Sequence, residues 1–296
     1  MGAKFDSNNG YAPIKIYGGS LHGITYRLPI PSAQVKSAIM LAAIHADGKT
    51  EIIEPYPSRD HTERMLKYFE CNIKVKDKKI IITPDGELKA KNITIPGDIS
   101  SAAYFMVAGL LVKNARITIK NVGLNPTRTG VIDVLKKMWG KIKTKNIKVK
   151  YNEPVGDIVV SSSKLKGITI GGKIIPRVID EIPVIVIAAS YAKGKTVIKN
   201  AEELRVKESD RIKTIVTNLL RLGVKVVERE DGMIVYGNEG KPFKYVDIDS
   251  FGDHRIAMAF SVAALVSENG LLIKDTECIN SSFPDFYRTL NSLRRK

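Results

Sequence analysis

Apolar positions along this chain recur in two periods that alternate in a fixed order. Runs of small and aliphatic residues predict helices over Ala33–His45, Ser100–Val112, Pro183–Ala192 and Ile256–Ser267. Each is followed by a short run that reads as a strand: Thr50–Ile53, Arg116–Ile119, Thr196–Ile198 and Leu271–Ile273. Gly48, Gly194 and Gly270 mark three of these junctions and Asn114 the fourth, residue types that suit a tight turn. A second helical period begins near Arg59, Thr129, Lys207 and Pro284, with Met65, Leu66 and Phe69, or Ile132, Leu135 and Met138, at helical spacing. After three of these the pattern switches to strand pairs, Ile73–Val75 with Ile80–Thr83, Ile147–Val149 with Asp157–Val160, and Val224–Val227 with Met233–Tyr236. Asp231-Gly232 is a hairpin signal within the last pair.

The chain is therefore self-similar. The predicted fold class is α/β, built from tandem βαβαββ repeats, with strands from Tyr11–Tyr26 ahead of the first copy and the fourth copy ending at its second helix. Turn residues over Pro84–Lys91 predict a boundary that leaves one repeat in residues 1–89 and three in residues 90–296. Such repeats bury their faces against neighbours. The lone first repeat, Tyr11–Thr83, is thus expected to expose apolar surface.

Composition changes this picture little. The chain has 296 residues, 44% hydrophobic and 26% charged, enough to bury a sizeable core. No apolar run is long enough to span a membrane and the first residues carry no apolar signal core, so the cytoplasm is the expected compartment, with no membrane partner. Cys71 and Cys278 have no metal or redox spacing and read as buried thiols. The net charge of +16 fits either nucleic acid or a multiply anionic metabolite. The lysines are scattered, as in Lys141–Lys145, and no aromatic platform is interleaved with them, which excludes nucleic acid as the expected partner.

Three clusters carry candidate chemistry. The run Arg205–Arg211 reads as the first turn of a helix, where free N–H groups favour anions and Lys207 and Arg211 would share a face with Glu208 beside them. That arrangement would hold an anion and offer it one carboxyl group for proton transfer. Asp253-His254-Arg255 and Ser32–Lys36 are the other two. Taken singly, each has a plainer reading: a capped and solvated helix start, a helix-capping Asp180, a structural Arg255, a surface Gln34.

Together the motifs resemble one family. Pro31–Ala38, Ser58–Glu63, Asp180–Pro183, Arg205–Arg211, Asp253–Arg255 and Ser282–Pro284 stand in the order and local spacing of the 3-phosphoshikimate 1-carboxyvinyltransferase, or EPSP synthase, family. The resemblance implies two lobes of three βαβαββ repeats closing over substrates. Residues 1–89 would then be what is present of the N-terminal lobe, and 90–296 the C-terminal lobe. It implies enolpyruvyl transfer from phosphoenolpyruvate to the 5-hydroxyl of shikimate 3-phosphate, with no cofactor and no metal, by a protein that is typically a monomer. It also implies roles. Glu208 handles the methylene proton, and Asp180 orients and deprotonates the hydroxyl with Lys207 beside it. Ser32, Ala33, Gln34, Arg59, Asp180 and Lys207 hold shikimate 3-phosphate. Gln34, Arg211 and Arg255 hold phosphoenolpyruvate, with His254 a weaker candidate. His61 lies in a motif but is given no chemistry.

The pattern departs from the family twice. Ser281 stands where some members carry a lysine, so inhibitor response, glyphosate included, is expected to differ from that branch. Met1-Gly2-Ala3 aligns with an internal segment of family members, so roughly an N-terminal third, two of six repeats, is expected to be missing. A separate N-terminal polypeptide is accordingly an expected partner. The alternative readings are a catalytically inactive anion- or partner-binding fragment, and the sister transferase acting on UDP-N-acetylglucosamine. The latter places a reactive cysteine in a loop that neither Cys71 nor Cys278 matches.

Overall fold

In the computed structural model, which describes residues 1–293, the two periods fold as eight helices and the short strands that alternate with them. The helices are α1 (Ala33–Ala43), α2 (His61–Tyr68), α3 (Ile99–Leu111), α4 (Gly130–Lys137), α5 (Ile182–Tyr191), α6 (Arg211–Arg221), α7 (His254–Ala264) and α8 (Phe286–Ser292). The chain divides into two compact bodies. One comprises residues 1–95 with 149–153, the other residues 96–148 with the chain from Pro154 onward.

The first body contains one complete repeat. Strand Thr25–Arg27 runs parallel to Thr50–Ile53 with α1 as the crossover, and α2 leads to the antiparallel pair Ile73–Lys76 and Lys79–Ile82. The sheet order is Thr25–Arg27, Thr50–Ile53, Lys79–Ile82, Ile73–Lys76. Leu28, Met40, Ile52, Leu66, Ile80 and Ile82 form its core. An antiparallel ribbon, Lys4–Asn8 with Tyr11–Tyr17, precedes it and leaves Phe5, Tyr11, Ile14 and Ile16 exposed. The strand Lys4–Asn8 has no counterpart in the sequence pattern, because Asp6, Ser7 and Asn8 are poor strand formers.

The second body repeats the plan with the same sheet order: Thr169–Ile170, Lys195–Ile198, Gly232–Tyr236, Val226–Arg229. Its neighbouring copy reduces the first strand to a parallel bridge between Gly97 and Val122, followed by Arg116–Gly123 and the hairpin strands Lys141–Lys150 and Glu153–Ser161. The last copy pairs Asp247–Asp249 parallel to Leu272–Lys274 and ends at α8. Gly48, Asn114, Gly194 and Gly270 all have positive φ, between 60° and 84°, so the four junction residues do the same conformational work. The helices α3, α5 and α7 pack on one another and are buried almost all round. Among the described residues no helix is long and apolar enough to cross a membrane.

Candidate active site

In the second body the candidate site grows from two helix starts. Asp210 caps α6, its side chain accepting a hydrogen bond from the Lys213 amide at 3.0 Å. Asp253 caps α7 and accepts from the Arg255 amide at 2.9 Å. Each cap satisfies one of the amides that a helix start leaves without an internal partner. The Asp253 carboxylate is fully buried and also receives Arg211 Nε at 2.8 Å and Ser209 Oγ at 3.1 Å. Burial alone would raise its pKa, but the Arg211 hydrogen bond and charge outweigh that and hold it below the usual aspartate value.

Arg211 is therefore anchored by its inner edge, with a side chain only 1% exposed. Its Nη2 donates to Glu208 Oε2 at 2.5 Å, and its Nη1 is buried without a hydrogen-bond partner. Asp180 stands between two guanidinium groups: its carboxylate is 3.8 Å from Arg211 Nη1 and 3.8 Å from Arg255 Nη2. Both distances are too long for direct hydrogen bonds. Arg255 donates from Nη1 to the Asp180 carbonyl at 3.1 Å, while its Nε is buried and has no partner. His254 is half-buried, and burial followed by the Arg255 charge lowers its pKa. The structure thus brings together Asp180, Glu208, Arg211, His254 and Arg255. Two fixed guanidinium groups face one carboxylate, with a second and half-exposed carboxylate, Glu208, on the same arginine.

The run Arg205–Arg211 needs a correction. It is not the first turn of a helix: Glu202–Val206 is a 3₁₀ turn, Lys207–Asp210 is irregular, and α6 begins only at Arg211 because Asp210 caps it. Lys207 and Arg211 do not share a helical face. Lys207 Nζ pairs instead with Glu203, and Arg205 is taken up structurally by Asp210, Glu228 and the carbonyls of Arg229 and Glu230.

In the first body, Ser32 caps α1 by accepting from the Val35 amide at 3.3 Å, and Ala33 opens the helix. Gln34 is exposed in the first turn, and Arg59 is half-buried in the segment that leads into α2. His61, the first residue of α2, bonds Glu153 Oε1 through Nδ1 at 2.7 Å.

Sequence reasoning missed three groups. Asp253 was part of a quoted motif, but its partner Arg211 lies 42 residues away. Glu181, beside Asp180, is buried and bonded to Ser100, whose hydroxyl also takes Arg128 Nη2 at 2.7 Å. Burial pushes the Glu181 carboxyl pKa up. Lys36, Glu54 and Glu63 form a buried ionic cluster in the first body. Glu181 and Glu63 both lie within the motifs Asp180–Pro183 and Ser58–Glu63, and a carboxyl group beside an apolar run was the available signal.

Comparison with known proteins agrees with the resemblance read from the motifs. Residues 1–290 match the family described as EPSP synthase (3-phosphoshikimate 1-carboxyvinyltransferase). The 3-phosphoshikimate 1-carboxyvinyltransferase of Thermoanaerobacter sp. strain X514 is 54% identical over 295 residues, which is 99% of this chain and 69% of that protein. The enzyme of the same name from Bacillus cytotoxicus is 48% identical over the same shares. Among solved structures, EPSP synthase from Acinetobacter baumannii superposes with a TM-score of 0.92 at 43% identity, over 99% of this chain and 68% of that one. The enolpyruvyl transferase NikO from Streptomyces tendae gives a TM-score of 0.77 at 16% identity over 99% and 68%, a likeness of fold alone.

Proposed function

The chain belongs to the EPSP synthase family, and from that premise we propose how its residues share the family's reaction. The protein is a transferase. Its reaction moves the enolpyruvyl group of phosphoenolpyruvate to the 5-hydroxyl of shikimate 3-phosphate and releases phosphate, a step of chorismate and aromatic amino-acid synthesis.

The observation that carries the residue roles is the pair Arg211 and Arg255, each holding a buried N–H without a hydrogen-bond partner on either side of Asp180. A planar guanidinium fixed at one edge suits a carboxylate or phosphate at the other. Arg211 and Arg255 grip phosphoenolpyruvate in this reading, with Gln34 and, secondarily, His254 as further contacts. Asp180 accepts the proton of the attacking hydroxyl, and Lys207 steadies the charge that results once its pairing with Glu203 is exchanged for substrate. Glu208 gives a proton to the methylene carbon as the hydroxyl oxygen bonds to the adjacent carbon. The tetrahedral adduct then expels phosphate, Glu208 takes back the proton it gave, and the proton held by Asp180 passes to the departing phosphate or to solvent, so both carboxyl groups return to their starting states. Ser32, the Ala33 amide, Gln34, Arg59, Asp180 and Lys207 hold shikimate 3-phosphate.

The chain spans 65% to 69% of the length of the curated relatives it matches. We infer that polypeptide corresponding to the remaining part of those relatives supplies further anion contacts needed for turnover, and that the protein acts in the cytoplasm. Phosphate release from both substrates, by the 296-residue chain alone and with that polypeptide added in trans, tests the inference. Activity only after addition is expected; activity of the chain alone would overturn it. In whichever preparation is active, Glu208→Gln should keep substrate binding and lose turnover by about 10²- to 10⁴-fold. Near-normal turnover in that variant would remove Glu208 from proton transfer.

A further inference from the structure

Two motif residues have no part in that scheme: Lys36, from the run that contains Gln34, and Glu63, from the run that contains Arg59. The structure brings them together. Lys36 is fully buried, with Nζ 2.6 Å from Glu63 Oε1 and 3.2 Å from Glu54 Oε2. The two carboxylate side chains are 7% and 6% exposed. Three elements therefore meet at one ammonium group: α1, the residue that follows strand Thr50–Ile53, and α2. The other oxygen of Glu54 accepts from the Ser58 amide at 3.1 Å and the Ser58 hydroxyl at 2.5 Å. Beside the cluster, Ser37 and Thr62 share a hydroxyl–hydroxyl hydrogen bond of 2.7 Å between α1 and α2.

As a source of stability this arrangement is poor. One ammonium group faces two carboxylates, and the second oxygen of Glu63 is buried without a hydrogen-bond partner. Burial of such groups costs free energy that well-packed apolar residues would not. Registration is what the cluster does supply. The ammonium group is tolerated only where both carboxylates reach it, so α1 cannot rotate or slide without stranding a buried charge. The same carboxylate that fixes α1 holds the backbone of Ser58, whose neighbour is Arg59.

We propose that Lys36, Glu54 and Glu63 are positioning residues for shikimate 3-phosphate, locking the Gln34-bearing start of α1 in register with the Arg59 segment. The proposal rests on the reading of Gln34 and Arg59 as contacts to that substrate.

Titration calorimetry of shikimate 3-phosphate against the whole chain and its variants, with thermal unfolding alongside, tests it. Arg59→Ala in the parent should weaken binding by roughly tenfold or more, as loss of a charge-assisted hydrogen bond does. Lys36→Met should weaken it on the order of tenfold, because the charge-assisted hydrogen bonds that α1 and the Arg59 segment hold in place are then made with poorer geometry. In the Lys36→Met background, Arg59→Ala should cost less than in the parent, because its guanidinium is already misplaced. A cluster with a purely structural role would lower the unfolding temperature and leave both the affinity and the cost of Arg59→Ala unchanged; that result overturns the proposal. If Lys36→Met does not fold, Ser58→Ala, which removes one hold on Glu54, should still weaken binding, and unchanged affinity there overturns the proposal equally. If the chain alone does not bind, the titrations are made on whichever preparation turns over; a parent there that is indifferent to Arg59→Ala would refute the substrate-contact reading and leave the cluster nothing to position.

Discussion

Helices α1 and α5 occupy the same place in their repeats, yet they meet opposite surroundings. In α5 every residue from Ile182 to Ser190 is buried; in α1 only Lys36, Met40 and Ala43 are, while Val35 and Leu41 are 44% and 54% exposed. Both helices cross over between two parallel strands, Thr25–Arg27 and Thr50–Ile53 for α1 and Thr169–Ile170 and Lys195–Ile198 for α5. The difference is company. Helix α5 packs against α3 and α7 from neighbouring repeats, so it can be apolar all round, whereas α1 is the first helix of the single repeat in its body. The repeat's own plan is encoded locally, but burial of its first helix is a collective property of stacked copies.

The largest test of this contrast concerns the buried cation of the better-packed body. Arg211→Met would leave Asp253, fully buried and capping α7, without its counter-charge. Loss of about 3–5 kcal/mol of unfolding free energy is expected, read from urea unfolding. A cost below about 1 kcal/mol would mean that Asp253 is held by its cap interactions alone. Next in size is a pair of core truncations. Ile185→Ala in α5 should cost about 2–5 kcal/mol, because removing its fully buried side chain leaves a cavity in the core. Leu41→Ala in α1 should stay within about 0.5 kcal/mol. Equal costs for the two, with amide exchange reporting each body separately, would break the comparison.

What the sequence made legible follows the same division between local and collective. The four junction turns were readable because Gly48, Asn114, Gly194 and Gly270 declare their backbone conformation by residue type. Strand Thr50–Ile53 appears with the bounds its pattern implied, since three β-branched residues in four, Thr50, Ile52 and Ile53, favour a strand without help from anything distant. Helix α6 starts later than the run Arg205–Arg211 suggests, because Asp210 caps it by accepting from the Lys213 amide and the residues before it are a 3₁₀ turn and an irregular segment. Parallel pairing of Thr25–Arg27 with Thr50–Ile53 carries no local signature; it depends on where α1 sends the chain. The candidate site divides likewise. Glu208 and Arg211 announce themselves as neighbours in sequence, but the anchoring of Arg211 by Asp253 and the joining of Lys36 to Glu63 exist only once separate helices have packed.

The smallest effect sharpens the comparison at the opening of α7. His254 is half-buried, and burial together with the Arg255 charge lowers its pKa from 6.5. Between that lowered value and 6.5 the unfolded chain binds more protons at this residue than the folded one. Stability therefore rises with pH across that window and falls as the pH drops below 6.5. The side chain is only partly buried, so solvent screens the effect and the contribution should be only a few tenths of a kcal/mol. Glu181 in the same body works in the other sense, because burial raises its pKa and favours the protonated fold in acid. A single stability curve would mix the two. The difference between the parent and His254→Gln isolates the histidine: the variant should match the parent near pH 8 and gain on it near pH 5.5, to the extent of about those few tenths. Parallel curves over that range would show that neither burial nor the Arg255 charge shifts the titration of the ring.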